Sequence, residues 1–367
     1  MKNTNRRDTL KTLTLITGAG LFSPLNLFAS GNPFRKDKLG VALVGLGYYS
    51  TDLLAPALQQ TQQCYLAGIV TGTPAKAETW KAKYKIPDKN IYNYENMAGI
   101  ANNPDIDVIY IVLPPSMHME YVVKAAATGK HVWCEKPMAM TVQECQTMID
   151  ACKKNKVSLS IGYRCQHEPN TLAYQKIVKE RQLGKVLQVD CAAGYREGRT
   201  DHWKQKREMG GGVIYDMGVY AIQGARLGSG MEPVAINTAK VWTEKPEIYK
   251  DGLGEIVEAQ LEFPGGVIGN VKTSFAENIN FLNIKCEKGL IEMAPFSSYS
   301  GNKGKSPLGE INFPYQVPWQ QANQMDMDSL AIKAGKPMPV PGEEGLRDIR
   351  IVNAILESAK TVKRVMI

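Results

Sequence analysis

The apolar run Leu39–Val44 ends at Gly45-Leu46-Gly47, and a helical pattern begins at Tyr49. An unbroken run of this kind fits a parallel strand buried on both faces, since a strand with one wet face alternates instead. The sequence of strand, turn and helix then repeats. Helices are expected over Tyr49–Gln62 (kinked at Pro56), Pro74–Tyr84, Met117–Thr128 and the stretch opened by the capping box Thr141-Val142-Gln143-Glu144. Between them, strands are expected at Leu66–Val70, Asp107–Leu113, Lys130–Cys134 and Val157–Ile161. This alternation predicts a doubly wound parallel α/β sheet, a Rossmann-type domain, over residues 39–163.

Beyond residue 163 the texture changes. A helix over Asn170–Arg181 precedes strands at Val186–Ala193, Ala235–Thr243, Gly254–Phe263, Val267–Phe275, Phe281–Cys286 and Gly289–Ala294. Pro264-Gly265-Gly266 reads as a hairpin turn, and Glu343–Thr361 as a closing helix. Successive strands with short turns predict a second, α+β domain over 164–367 with a large, mainly antiparallel open sheet. A chain of 367 residues has room for both cores.

The net charge of +8 is concentrated at one end. Seven basic residues against Asp8 and Asp37 place more than half of it before residue 39, so nucleic-acid binding is not expected of the body. Arg6-Arg7 before the modest apolar stretch Leu13–Phe28 resembles a twin-arginine export signal over 1–29, which predicts a periplasmic protein; a disordered basic terminus is the alternative, and then the protein is cytoplasmic. No apolar stretch has the length of a membrane span. Seven cysteines without a Cys-x-x-Cys pair, and four histidines without ligand spacing, suggest neither a disulfide framework nor a metal site.

Four segments carry chemistry. Gly45-x-Gly47-x-x-Ser50 lies where a dinucleotide-binding turn belongs, with glycines letting backbone N–H groups approach a pyrophosphate at a helix N-terminus. At the end of the second strand, Val70-Thr71-Gly72-Thr73-Pro74-Ala75-Lys76 offers hydroxyls and a lysine but no acid, which favours the 2′-phosphate of NADP, with NAD second; Lys76 as an ordinary solvated residue is the alternative. Glu135-Lys136-Pro137 follows a central strand at the sheet edge where ligands bind, with Glu135 expected to fix the lysine and a cis peptide possible before Pro137; a simple salt bridge is the other reading. Finally, Gly210-Gly211-Gly212 leads into Asp216 and Tyr220, four apart on one helical face, which suits diol binding and proton shuttling or, alternatively, a buried hydrogen-bonded pair.

Taken together, these segments resemble the glucose–fructose oxidoreductase and inositol dehydrogenase (Gfo/Idh/MocA-type) family, its glucose–fructose oxidoreductase branch in particular. The resemblance covers most of the chain: Gly45-Leu46-Gly47-Tyr48-Tyr49, Leu113-Pro114-Pro115-Ser116-Met117-His118, Gly129–Met138, Gly162-Tyr163-Arg164-Cys165, Gly210–Tyr220 and Pro341–Leu346. It implies a catalytic group of Lys136, Asp216 and Tyr220. Tyr220 would be the general acid/base, Lys136 would hold the substrate and ease deprotonation of the phenol, and Asp216 would bind a neighbouring hydroxyl. The nicotinamide C4 would exchange hydride with a sugar carbon. Besides the glycine turn (Gly45 to Tyr49), Thr71, Gly72, Lys76, Glu135 and Lys136, the cofactor would be lined by Pro114, Ser116, His118, Arg164, Trp203 and Lys204. The family's Trp-Arg pair is Trp203-Lys204 here, a fork replaced by a point charge. Family members are homodimers or homotetramers built through the open sheet, and residues 30–38 resemble an arm reaching a neighbouring subunit. The loop Tyr195–His202 and the region Ser297–Val317 depart most from the family and are expected to shape substrate choice. The resulting expectation is an NADP-dependent sugar oxidoreductase with tightly held cofactor, able to run ping-pong between two sugars. A redox-assisted glycosidase or lyase and a non-catalytic sugar- or nucleotide-binding protein are the alternatives.

Overall fold

The computed structural model describes residues 37–367, so the expected export segment and most of the arm lie outside the described residues. Six strands form the first sheet: β1 (Leu39–Val44), β2 (Cys64–Val70), β3 (Ile91–Tyr92), β4 (Val108–Ile111), β5 (His131–Cys134) and β6 (Leu159–Ile161). All neighbours are parallel, in the order β3-β2-β1-β4-β5-β6. β1 is buried at every position. Its alternate residues enter two cores: Val41 and Leu43 join α1 (Ala55–Leu58) and α2 (Pro74–Tyr84), while Ala42 and Val44 join α3 (Pro115–Ala127) and α4 (Val142–Lys154). That division is what an unbroken apolar run requires, and it fixes the doubly wound architecture.

One expected helix is built differently. Residues Tyr49–Leu54 wind as a π-helix, and α1 follows with Pro56 in its first turn. Proline has no N–H to return to the turn before it, so it is accommodated at the start of an α-helical segment rather than in the interior of one. α4 begins as anticipated, with the Thr141 hydroxyl accepting from the Glu144 N–H and the Glu144 carboxylate accepting from the Thr141 N–H.

The second sheet has nine strands: β7 (Val186–Gly194), β8 (Ala235–Trp242), β9 (Ile256–Phe263), β10 (Val267–Ser274), β11 (Ile279–Cys286), β12 (Gly289–Met293), β13 (Gly304–Ser306), β14 (Gly309–Ile311) and β15 (Val365–Met366). Their order is β14-β13-β12-β11-β7-β10-β9-β8-β15, antiparallel except for the β7–β10 pair. α6 (Val219–Ser229) packs across β7, β10 and β11, with α5 (Pro169–Lys179) beside it. Along the sheet an amide ladder crosses four strands. Asn270 Nδ2 donates to Asp190 Oδ1 at 2.7 Å, Gln188 Nε2 donates to the same carboxylate at 2.9 Å, and Gln260 and Asn237 continue the row.

The two halves are joined by a return of the chain. Helix α7 (Trp319–Ala334) buries Ala322, Met325 and Ala331 in the same core as Val41 and Leu43, and its Asp326 carboxylate accepts from the N–H groups of Gln62 and Gln63 at 2.9 and 2.7 Å. The Ile161 N–H then donates to Val340 O at 2.9 Å, and α8 (Gly342–Thr361) packs between α4 and β8. All seven cysteines are buried free thiols. Among the described residues no helix is long and apolar enough to cross a membrane.

Candidate active site

The turn after β1 uses its two glycines for different purposes. Gly45 has φ +91°, and a Cβ there would lie 2.4 Å from the Val112 carbonyl oxygen, so only glycine fits. Gly47 is unstrained, and a Cβ on it would meet nothing within 4 Å; its smallness leaves open space in front of the turn. Ser50 is buried, and its hydroxyl donates to Gly45 O at 2.6 Å, bolting the helix start to the strand end. The Lys76 ammonium, from the first turn of α2, reaches across to Leu46 O at 3.1 Å and thus sits over the turn. Thr71 is buried at the end of β2, Gly72 packs under the Tyr94 ring, and Tyr48 stands exposed. A dinucleotide fits this cradle: open space, a helix N-terminus and a lysine occur together without an acid at the end of β2.

Lys136, Asp216 and Tyr220, distant in sequence, converge near the start of the helix that follows the turn: Tyr49, its first residue, lies 6.3 Å ring to ring from Tyr299, and the Arg164 guanidinium lies against both Tyr299 and Tyr220. The Lys136 ammonium donates to Asp216 Oδ1 at 3.1 Å and to Asp216 O at 2.9 Å, and lies 4.6 Å from the centre of the Tyr220 ring. Asp216 lies in a π turn, Ile214–Gly218, that feeds directly into α6, and Tyr220 is the second residue of that helix. Wider π winding occurs often at functional sites. Here it accompanies a main-chain carbonyl turned toward the lysine. A second ammonium, Lys204, donates to Asp216 Oδ2 at 2.6 Å. The three side chains of this ionic group are nearly buried, at 12%, 10% and 17% exposure for Lys136, Asp216 and Lys204. Two lysines against one carboxylate leave surplus positive charge facing the phenol, an environment that stabilises negative charge developing on oxygen. Burial would lift the Asp216 carboxyl, but the two lysines outweigh it and hold it well below the usual range. Burial would likewise lower Lys136, but Tyr220 and Asp216 outweigh it and keep it an ammonium.

Glu135 does not fix the lysine side chain as expected. Consecutive residues leaving a strand point to opposite sides. Its carboxylate therefore accepts from the Lys136 main-chain N–H at 3.2 Å and from the Tyr110 hydroxyl at 2.6 Å, and Tyr110 in turn accepts from Gln324 of α7. Gly162 makes room for it, since a Cβ there would lie 2.5 Å from Glu135 Oε1. The Lys136–Pro137 peptide is cis. Burial pushes the Glu135 carboxyl up to about 7, against the Tyr110 and Lys136 contacts. The folded state then holds a proton that the unfolded chain has released above its ordinary value of 4.5. Stability is accordingly expected to fall as pH rises through the window from 4.5 to about 7, and to level off above it. Glu135→Gln, which keeps an acceptor for Tyr110, should flatten that slope. Urea unfolding of both proteins across the window measures it, and an unchanged slope would show that the carboxyl does not titrate there.

The remaining expected residues are placed unequally. Arg164 is buried with its guanidinium 5.1 Å from the Tyr220 ring and 4.3 Å from that of Tyr299, and it donates to the carbonyls of Ser297 and Ser298 and to Gln320 of α7. His118 is buried with Nδ1 2.9 Å from Pro137 O and Nε2 2.8 Å from Leu113 O, so it brackets the Lys136–Pro137 loop to the end of β4. Pro114 caps α3 and Ser116 lies in its first turn. Trp203 stacks obliquely on His202 and lies 5.8 Å from the Lys204 ammonium. The glycine run acts on Lys204: a Cβ on Gly211 would lie 2.6 Å from Lys204 O, and the Gly212 N–H donates to that oxygen at 2.8 Å. Tyr195, Glu197 and Tyr299 fall in the two segments expected to shape substrate choice but were given no individual role, and Gln320 and Gln324 were not singled out from the sequence. Tyr195 and Glu197 carried a further signal, being alternate residues just past the end of β7, whereas Gln320 and Gln324 carried none.

Sequence and structure comparisons agree on ancestry. The model of the oxidoreductase family with an NAD-binding Rossmann fold (GFO/IDH/MocA) matches residues 39–163, and that of the GFO/IDH/MocA C-terminal domain matches 171–292. The D-xylose 1-dehydrogenase [NADP(+)] of Haloarcula marismortui is 25% identical over 343 residues, covering 91% of this chain and 93% of that protein. The scyllo-inositol 2-dehydrogenase (NADP(+)) of Bacillus subtilis is 23% identical, covering 91% and 97%. A crystal structure of aldose-aldose oxidoreductase from Caulobacter crescentus, complexed with glycerol, superposes with a TM-score of 0.85 at 36% identity, covering 90% of this chain and all of that one. With both domains matched and the cradle and ionic cluster adjoining, the chain belongs to the GFO/IDH/MocA family of oxidoreductases.

Proposed function

We propose that the protein is an NADP-dependent sugar oxidoreductase that keeps its cofactor between turnovers and works ping-pong, oxidising one sugar and reducing another. The observation carrying this reading is the Lys136 ammonium in contact with both the Asp216 carboxylate and the Tyr220 ring, with Tyr49 of the cradle linked to that group through Tyr299 and Arg164. Gly45, Gly47, Lys76 and Thr71 would hold the dinucleotide, whose nicotinamide supplies the hydride acceptor and donor. Tyr220 moves the proton of the reacting hydroxyl, Lys136 binds its oxygen, and Asp216 orients the neighbouring hydroxyl. The names of the xylose, inositol and aldose-aldose relatives support a sugar or polyol substrate.

The NADP assignment rests on Lys76, whose ammonium already lies over the turn. Lys76→Ala is expected to weaken NADP binding by roughly 10- to 100-fold, the worth of one charged hydrogen bond, and to leave NAD binding unchanged. Equal losses for both nucleotides would remove the assignment. Export in folded form, read from Arg6-Arg7, accords with retention, because cofactor acquired before export must travel with the protein. Self-association through the open sheet would use the face bearing the Asn237–Gln260–Asn270–Asp190 ladder.

The direct test is purification without added nucleotide. Denatured protein should release NADP or NADPH. On the native protein, one sugar should reduce the bound nicotinamide and a second should reoxidise it. Recovery of protein with no nucleotide bound would overturn the retained-cofactor reading.

A further inference from the structure

The family resemblance leads to the expectation that Lys204 lines the cofactor; its own surroundings aim its ammonium at Asp216. Its ammonium donates to Asp216 Oδ2 at 2.6 Å and to the Tyr195 hydroxyl at 2.8 Å. It is boxed by three rings, with centres 5.1 Å (Tyr195), 5.8 Å (Trp203) and 5.9 Å (Phe275) away. Tyr195 is held edge-on against Phe275 at 5.3 Å and donates to Glu197 Oε2 at 2.9 Å, and Glu197 accepts from Arg199 Nε at 2.8 Å. The backbone of Lys204 is equally fixed. Gly212 N–H donates to its carbonyl, and its own N–H donates to His202 Nδ1 at 3.4 Å. A side chain held at both ends and packed among rings has one available direction, toward Asp216.

We infer that Lys204, backed by Tyr195 and Glu197, is a sugar-side positioning residue: it locks the Asp216 carboxylate and presents an N–H to a hydroxyl of a polyhydroxylated substrate. This inference rests on the sugar-oxidoreductase reading. Three features carry it. First, Asp216 has Oδ1 on Lys136 and Oδ2 on Lys204, so neither oxygen is free to swap; without Lys204 the carboxylate can turn and present either one. Second, an ammonium has three donors, and Asp216 and Tyr195 use two, leaving one for a substrate oxygen. Third, Tyr195 is not a rival to Tyr220 as proton shuttle. Burial, with Asp216 and Glu197 close by, pushes its phenol well above the ordinary value, so it stays a protonated donor to Glu197. The lysine in place of the family's arginine is thereby given a role: a compact point charge fits the ring box and meets one carboxylate oxygen, where a planar fork would reach past it.

The test is Lys204→Met, which keeps the length and apolar packing of the side chain. Two quantities are read on the intact protein: the KM for an accepted sugar, and the rate at which bound NADPH exchanges with excess free NADP, followed by fluorescence. The expected result is a 10- to 100-fold rise in sugar KM with nucleotide exchange within about twofold of wild type, the worth of one charged hydrogen bond placed on the sugar side. Tyr195→Phe, which removes only the hydroxyl, should raise KM in the same direction by roughly threefold to tenfold and also spare nucleotide exchange. It decides the matter should Lys204→Met fail to fold. An unchanged sugar KM, or nucleotide exchange accelerated about tenfold or more, overturns the inference. If the wild-type protein turns over no sugar, the function reading falls, while the exchange rates still decide whether Lys204 faces the nucleotide.

Discussion

Lys136→Met is expected to lower kcat by on the order of 10³-fold or more, because it removes the proposed oxygen-binding donor and the positive charge facing the phenol together. The ammonium is the hinge of the cluster. It touches the Asp216 carbonyl, one Asp216 carboxylate oxygen and the face of Tyr220, and it comes from the loop after β5, while Asp216 comes from the π turn leading into α6 and Tyr220 from the first turn of that helix. The fold should survive the change. Removing one partner of a buried pair costs about 3–5 kcal/mol when the other charge is orphaned. Asp216 keeps Lys204 at 2.6 Å, so that penalty is largely avoided here. Asp216→Ala is the contrasting case, since it strips the carboxylate from two nearly buried ammonium groups and leaves Lys136 on the main-chain carbonyl and Lys204 on the Tyr195 hydroxyl, neutral acceptors only, so its cost should approach the full penalty. Thermal unfolding separates the two variants, and single-turnover reduction of bound nucleotide measures the chemical loss. A Lys136→Met protein that is as unstable as Asp216→Ala would mean Lys204 does not share the carboxylate.

The sheet architecture was legible because burial leaves its mark on hydrocarbon patterns. β1 reads as a doubly buried strand from its sequence alone, and the capping box at Thr141 announces the start of α4. α7 was missed for the converse reason. Its buried positions include Gln320, Gln321, Gln324, Asp328 and Ser329, so no apolar stripe recurs at helical spacing. Those buried polar groups are what support the site from behind: Gln324 reaches Tyr110 and hence Glu135, and Gln320 reaches Arg164. The short strands β3, β13, β14 and β15 have two or three residues each, too few for a period to show. Within the site, the convergence of Lys136 with Asp216 and Tyr220 was suggested by motif order, whereas the partner of the Lys136 ammonium was not. Glu135 is adjacent in sequence, but strand geometry turns it away, and a carboxylate eighty residues on takes its place.

Tyr220→Phe should reduce hydride transfer by 10²- to 10⁴-fold in both directions, the range general acid–base catalysis supplies, while changing almost nothing else. The ring is held by cations, with the Lys136 ammonium 4.6 Å and the Arg164 guanidinium 5.1 Å from its centre. Phenylalanine can keep both contacts. The hydroxyl has no hydrogen-bond partner among the described residues, and it is not sealed from solvent. Deleting it therefore breaks no bond within the folded chain, and unfolding free energy should stay within about 1 kcal/mol of wild type. In the proposed reaction Lys136 and Asp216 remain to hold substrate oxygens, so sugar KM should move by only a few-fold. A protein that folds, retains nucleotide and binds sugar but passes hydride hundreds of times more slowly identifies the phenol as the proton carrier. Full activity in Tyr220→Phe would instead assign that step to another group and leave the Lys136–Asp216 pair as a binding device alone.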